Sequence, residues 1–147
     1  MGYIPEDAKW YLAEIVMEIT IHGDPRNVVH VNTTLVRADS PNKAYVAAQE
    51  LGKQNETSYE NSHGQAVAIR FRGLKSLDVI YDELEHGGEV TFSERIAVPE
   101  EEIAKLLAAK KQLAVFRPIK PSPGPDYGSR EVREEAIRLL READDSK

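Results

Sequence analysis

Six polar side chains are the residues of this sequence whose types and spacing could do chemistry together. Carboxylate, imidazole and guanidinium groups on one face can bind a small molecule or a partner, or can pair across strands for about 0.2–1 kcal/mol per pair. Three interpretations therefore stay open, namely a solvated face, a homodimer or partner interface, and a small-molecule site. The six residues, expected on one face of a sheet, are Glu14, Glu18, His30, Asn32, Arg70 and Arg72.

Acid–base catalysis by the two glutamates is disfavoured. Glu14 and Glu18 are four residues apart on a predicted strand, which separates them by about 13 Å. The carboxyl pairs of glycosidases lie roughly 5–9.5 Å apart. No catalytic residue is therefore predicted.

Metal, cofactor and nucleophile motifs are also missing from the sequence. Its four histidines stand alone, without the spacing that places two ligands on one face. Gly87-Gly88 lacks a phosphate-binding glycine pattern and is predicted to be a turn between strands. The sequence contains no cysteine, which excludes disulfides, thiol nucleophiles and cysteine-based zinc sites. No metal site and no cofactor is predicted.

The composition of the chain disfavours two classes of binding partner, nucleic acids and membranes. The chain has 147 residues, a net charge of −6 and 30% charged residues. An acidic balance disfavours nucleic-acid binding through a global positive field. No apolar run approaches the ~20 residues that span a membrane, and no signal peptide is recognised. A cytoplasmic location is expected by elimination.

The first two elements read as a hairpin. Residues 10–21 alternate between an apolar and a mixed face, which favours a strand over a helix. In "VVHVNTTLVRA", Val29, Val31, Thr33 and Leu35 are predicted to face the core, so that His30 and Asn32 share the other face with Glu18. Two registers fit, with Glu18 opposite His30 or opposite Asn32.

Capping residues and alternation predict the later elements. Ser40 and Pro41 begin a helix, and Gly52 is placed to end it in a left-handed conformation. A polar loop at 53–64 precedes strands at 65–73, 77–84 and 89–98, and a helix follows at 99–113, with Ile103, Leu106 and Leu107 as its apolar stripe.

The predicted fold is α+β: a mainly antiparallel sheet of about five strands in ββαβββα order, with helices on one face. Residues 1–116 form the domain, 117–128 a Pro-rich linker and 129–147 a C-terminal amphipathic helix. Three alternatives stay open for that helix, which could dock on its own domain, pair with another chain or stay mobile.

Three stretches resemble a small bacterial family catalogued as domain of unknown function 4288. They are "KWYLAEIVMEI", "LVRADSPNKAYVAAQELGK" and "FRGLKSLDVIYDELEHGGEV", and the resemblance covers roughly residues 9–97. It implies no activity, cofactor or catalytic residue.

A binding or interaction module that self-associates or binds a protein partner through its sheet is the favoured function. A small-molecule sensor or small enzyme that uses the polar sheet face is the alternative, with its ligand unknown. A third hypothesis is an immunity-type inhibitor whose acidic surface blocks a basic toxin. An enzyme is disfavoured but not excluded.

Overall fold

The computed structural model describes residues 7–119, 124–129, 138–139, 141–142 and 145. Four strands form one antiparallel sheet in the order β2-β1-β4-β3. They are β1 (Trp10–Ile21), β2 (Val28–Arg37), β3 (Thr57–Glu60) and β4 (Ala66–Val79). Helix α1 (Pro41–Gln54) covers one face of the sheet, and α2 (Glu100–Leu106) is followed by two short 3-10 turns. The α+β class and the antiparallel sheet are confirmed.

The predicted strand count and the ββαβββα order are wrong. Residues 57–60 of the predicted loop form β3, and the predicted strand at 65–73 joins the first three residues of the one at 77–84 in a single strand, β4. Residues 80–84 form no strand. Residues 89–98, predicted as the fifth strand, form no strand. Two β-bulges explain the split reading of β4, because each inserts an extra residue and breaks the alternation of period two.

The hairpin register differs from one predicted register by one residue and from the other by three residues. Glu18 lies opposite Val29, not opposite His30 or Asn32. A slip of one residue turns every side chain of a strand to the other face. The α1 side of β2 therefore carries His30, Asn32 and Val36, and the buried Val36 side chain (2% exposed) packs into the core beneath α1. The prediction that Val29, Val31, Thr33 and Leu35 face this core was wrong.

The main core lies between α1 and the apolar face of β1. Ala44 and Ala48 of α1 are fully buried, as are Ala13 and Ile15 of β1. The predicted helix start is confirmed, since the Ser40 hydroxyl accepts a hydrogen bond from the Lys43 amide at 3.2 Å.

Gly52 has a different role from the predicted one. The helix continues to Gln54 and its C-cap is Asn55, so Gly52 does not end it in a left-handed conformation. A Cβ atom at Gly52 would lie only 2.3 Å from Cδ1 of Phe71. Glycine is needed here because the Phe71 ring packs directly against the helix backbone.

A second apolar cluster lies at the end of the sheet where β1 ends and β4 begins. Ile19, Ile21 and Val67 are buried there, and Tyr59 and Tyr127 pack against them. The Tyr59 hydroxyl donates to the Tyr127 carbonyl, and Asn61 Nδ2 donates to the Asp126 carbonyl at 2.9 Å. Burial raises the pKa of Tyr59, and the neighbouring Tyr127 and Asp126 raise it further.

Part of the predicted 117–128 linker therefore contacts the sheet. Of the predicted helix at 129–147, residues 138–139, 141–142 and 145 are helical, and most of the rest lies outside the described residues. The division into a domain, a linker and a tail helix stays a prediction.

Helix α2 is shorter than predicted and does not pack as predicted. It ends at Leu106, where 99–113 was expected to be helical. Its predicted apolar stripe is exposed, with Ile103, Leu106 and Leu107 at 39%, 58% and 74%. Only α1 is shown to cover the sheet, because the packing of α2 against the described strands is at most marginal.

The predicted glycine turn is present, with Gly87 at a φ of +84° and the Gly88 amide donating to the Glu85 carbonyl at 3.0 Å. It does not join two strands, because β4 has already ended at Val79.

Candidate functional site

The sheet face opposite α1, called the open face below, holds most of the polar residues singled out in the sequence. Every strand contributes, because alternate residues of each strand point away from the helix. The residues that define it are Leu12, Glu14, Val16 and Glu18 of β1, Val29, Val31, Thr33 and Leu35 of β2, Arg70, Arg72, Lys75 and Ser76 of β4, and Ser58 of β3.

Ion pairs and hydrogen bonds cross the centre of the open face. Glu18 lies opposite Arg70, and its Oε1 is 3.6 Å from Nη1 of Arg72. Glu14 accepts a hydrogen bond from the Ser76 hydroxyl at 2.7 Å, and its Oε2 is 3.9 Å from Nζ of Lys75. Each glutamate is thus held by β4, while the Arg72 and Lys75 side chains stay more than 60% exposed.

The two β-bulges place these cations. Each bulge sets two successive β4 residues opposite one β1 residue, so both can point to the same side. Phe71, Leu74 and Leu77 continue to pack towards α1. Arg72 and Lys75 are the inserted residues, and each lies beside one of the two glutamates of β1.

Large apolar side chains line the β2 side of the open face. Val29, Val31 and Leu35 are 54%, 42% and 48% exposed. Val31 lies opposite Val16 and Leu35 opposite Leu12, so the exposed apolar column adjoins the half-buried Val16 and the buried Leu12 of β1.

Strand β2 is also an edge. Among the described residues, no strand pairs with its outer side. Its sequence, VVHVNTTLVR, contains neither proline nor lysine, the residues that commonly protect an edge strand from pairing with another chain.

One end of the open face is partly covered by the chain that follows β4. Ile80 is buried, and its amide donates to the Trp10 carbonyl at 3.0 Å. Leu84 and Val90 line a shallow depression together with Leu35. The chain beyond Val90 therefore departs from the rim of the open face.

Four of the six predicted site residues meet on this face, and two do not. Glu14, Glu18, Arg70 and Arg72 are together, as predicted. His30 and Asn32 point to the α1 side because of the register, and the His30 ring makes an edge contact with Tyr127, with centroids 5.4 Å apart. The prediction that they share a face with the glutamates was wrong. Ligand binding by these residues stays a prediction.

The sequence reading missed Lys75, Ser76 and the apolar column of β2. A signal for the first two was present, since "FRGLKSL" separates its apolar residues by two polar ones. That spacing breaks the period-two alternation of an uninterrupted strand, as the inserted residue of a bulge does.

A second polar cluster, outside the open face, does not have the geometry of a catalytic triad. Asp126 Oδ2 accepts from the Ser62 hydroxyl at 2.8 Å and lies 3.5 Å from Nε2 of His63. A nucleophilic triad needs the histidine between the serine and the carboxylate, whereas here the carboxylate contacts both. Within the described ranges, no three histidine, cysteine, aspartate or glutamate side chains are grouped to hold a metal ion.

A search of the described part of the chain for membrane-spanning helices finds none of sufficient length and apolarity.

Comparison with known proteins gives one match. The model of a family described as domain of unknown function (DUF4288) matches residues 10–92, which is more than half of the chain. The match includes all four strands, α1 and the turn at Gly87-Gly88, and it ends just beyond Val90. No curated protein and no solved structure matches the chain.

Proposed function

The chain belongs to the family described as domain of unknown function 4288, and we propose that it is a small interaction module that self-associates or binds a protein partner through the open face. The observation that carries this proposal is the column of exposed Val29, Val31 and Leu35 on an edge strand. The absence of cysteine is consistent with a reducing compartment such as the cytoplasm. The cytoplasmic location stays a prediction.

The composition of the open face supports a protein partner over bare solvent. Protein interfaces combine an apolar centre with a polar rim. Here the apolar residues of β1 and β2 adjoin the ion pairs of β1 and β4, and Arg37 stacks on Trp10 at one end, with its guanidinium 5.7 Å from the ring. Contiguous exposed apolar patches on a small domain commonly mark such a surface.

Sedimentation velocity of single-site variants tests the proposal. Val31→Lys places a charge in the centre of the apolar column, whereas Val46→Lys places the same charge on the outer side of α1, where Val46 is 55% exposed. We expect the native chain to associate at about 100 µM, and Val31→Lys to weaken that association by about tenfold or more, which corresponds to about 1.4 kcal/mol.

The Val46→Lys control should associate like the native chain. Association that is equally weakened by both substitutions would show that net charge, and not the open face, controls it. A native chain that stays monomeric and retains no protein partner would contradict the proposal.

A ligand-binding sensor is the second candidate, and the cations of β4 favour it. Arg70, Arg72 and Lys75 surround two carboxylates, so the centre of the face has more positive than negative groups. An anionic metabolite that raises the melting temperature of the native chain but not of Arg72→Ala would support this function. A broad screen without any shift would remove its basis.

A further inference from the structure

The segment that begins at the end of the family match carries largely exposed apolar side chains. Residues 91–119, called the arm below, contain α2 and the two 3-10 turns. Phe92, Ile96, Leu107 and Val115 of the arm are 68%, 81%, 74% and 85% exposed. Exposed apolar side chains repeated along one segment, and not scattered singly, indicate a surface that binds another surface.

The base of the arm is fixed at the rim of the open face. The Glu89 amide donates to Oδ2 of Asp82 at 3.0 Å, and the Gly88 amide donates to the Glu85 carbonyl. A Cβ atom at Gly88 would lie 2.5 Å from the Glu83 carbonyl oxygen. The tight turn holds the start of the arm beside Leu35, while α2 leaves the open face of its own chain largely uncovered.

The apolar groups of α2 and β2 match in spacing. Ile103 and Leu106 lie about one turn apart in α2, and Leu107, the C-cap residue, completes the i, i+3, i+4 spacing. Ile103 and Leu107 are about 6 Å apart along the helix axis, and Val29 and Val31 are about 7 Å apart along their strand. One turn of α2 therefore spans two neighbouring apolar residues of the open face.

The charges of the two surfaces are complementary as well. The first turn of α2 carries Glu100, Glu101 and Glu102. The open face presents Arg70, Arg72 and Lys75 on β4, one strand beyond the β1 glutamates that adjoin the apolar column. The Arg72 and Lys75 side chains contact these glutamates and are still largely exposed. Opposite charges at the rim set the orientation of a docked segment more than its affinity.

We propose that two copies of the chain exchange arms, so that α2 and the apolar residues around it in one copy cover the open face of the other. This inference rests on the proposed function and names the partner as a second copy. A two-fold arrangement covers both open faces with the same contacts. The arm is also long enough to supply the roughly 20–30 residues per side of a standard interface.

Disulfide mapping tests the exchange, and the absence of native cysteines makes it clean. Two single-cysteine variants, Val31→Cys and Leu106→Cys, carry different tags, are refolded together and are oxidised. We expect a covalent heterodimer between them. The matched pair of Val46→Cys and Leu106→Cys should give at least tenfold less, because Val46 lies on the outer side of α1.

A second variant separates the possible failures. Ile103, Leu106 and Leu107 lie outside the main core and are exposed, so we expect the chain with all three replaced by serine to fold and to be monomeric by light scattering. If the native chain is a dimer that this variant preserves, or if Val31→Cys cross-links only to itself, the arm is not the occupant and the proposed function stands without it. If the native chain is a monomer and no pair cross-links, the exchange is overturned and self-association fails with it.

Discussion

Replacing Gly52 with alanine should destabilise the protein, although alanine is the better helix former. The Cβ atom would lie 2.3, 2.4 and 2.7 Å from Cδ1, Cε1 and Cγ of Phe71. Carbon atoms in favourable contact lie about 3.5–4.0 Å apart. The Phe71 ring would have to move by about 1 Å or more, away from a position in which it packs against the main core.

The expected magnitude follows from two opposing effects. Overpacking a well-packed core costs about 1–3 kcal/mol. Replacing a helical glycine with alanine stabilises the helix by up to about 1 kcal/mol. The net loss of unfolding free energy is therefore about 1.5 kcal/mol, the midpoint of a range from near zero to about 3 kcal/mol, and corresponds to about 3–6 °C in melting temperature for a chain of this size.

Urea and thermal denaturation of Gly52→Ala, Phe71→Leu and the double variant measure this directly, at one low protein concentration so that association does not contribute. The smaller leucine should remove part of the clash, so that the two substitutions couple by about 1 kcal/mol. Lys53→Ala is the matched control, because Lys53 is the exposed next residue of the same helix, and its effect should stay within about 0.5 kcal/mol. A Gly52→Ala protein as stable as the native one would refute the close packing of α1 on Phe71.

Three further predictions concern the end of the sheet at which β1 reaches Ile21. Tyr127→Ala should lower the free energy of unfolding in urea by about 1–2 kcal/mol, because a half-buried ring leaves the cluster around Ile19 and Val67. A chain truncated after Phe116 should lose a similar amount and still unfold cooperatively in urea. Loss of folding on truncation would show that residues beyond Phe116 belong to the domain. Hydrogen bonds from Arg26 hold the pKa of Asp24 at about 2, below 3.8, so the stabilisation is fully present above pH 3.8 and is lost as pH falls towards 2. Carbon-detected NMR titration should show a midpoint near that value in the native chain and one closer to 3.8 in Arg26→Ala; equal midpoints would contradict this pairing.

The parts of the fold that the sequence predicted well are those where one side of an element is unambiguous. β1 has a nearly continuous apolar face and was placed correctly, and Ser40-Pro41 marked the start of α1. β2 carries valines on both faces, so its alternation fits either orientation. Its register is consistent with the packing of Val36 beneath α1, a tertiary contact that no local pattern reveals.

The candidate site was predicted only in part, because the faces of β1 are unambiguous in the sequence and those of β2 are not. Glu14, Glu18 and Arg70 were grouped correctly because they lie on β1 and on the regular start of β4. Arg72 joins them because, although it is the inserted residue of the first bulge, it stays on the same side as Arg70, beside Glu18. His30 and Asn32 were misplaced with the register of β2. Lys75 was missed because the bulges that direct it to the open face interrupt the alternation on which strand prediction depends.

The central claim is that the apolar column of the open face binds another protein surface. Methyl NMR of valine- and leucine-labelled chain, with a soluble paramagnetic probe, measures the solvent exposure of the side chains themselves. Between about 5 and 500 µM protein, a range that brackets a micromolar dissociation constant, the methyl groups of Val29, Val31 and Leu35 should lose most of their relaxation enhancement, while Val46 keeps its own. Equal enhancement of all four residues at both concentrations, with no protein partner that changes it, would contradict the claim.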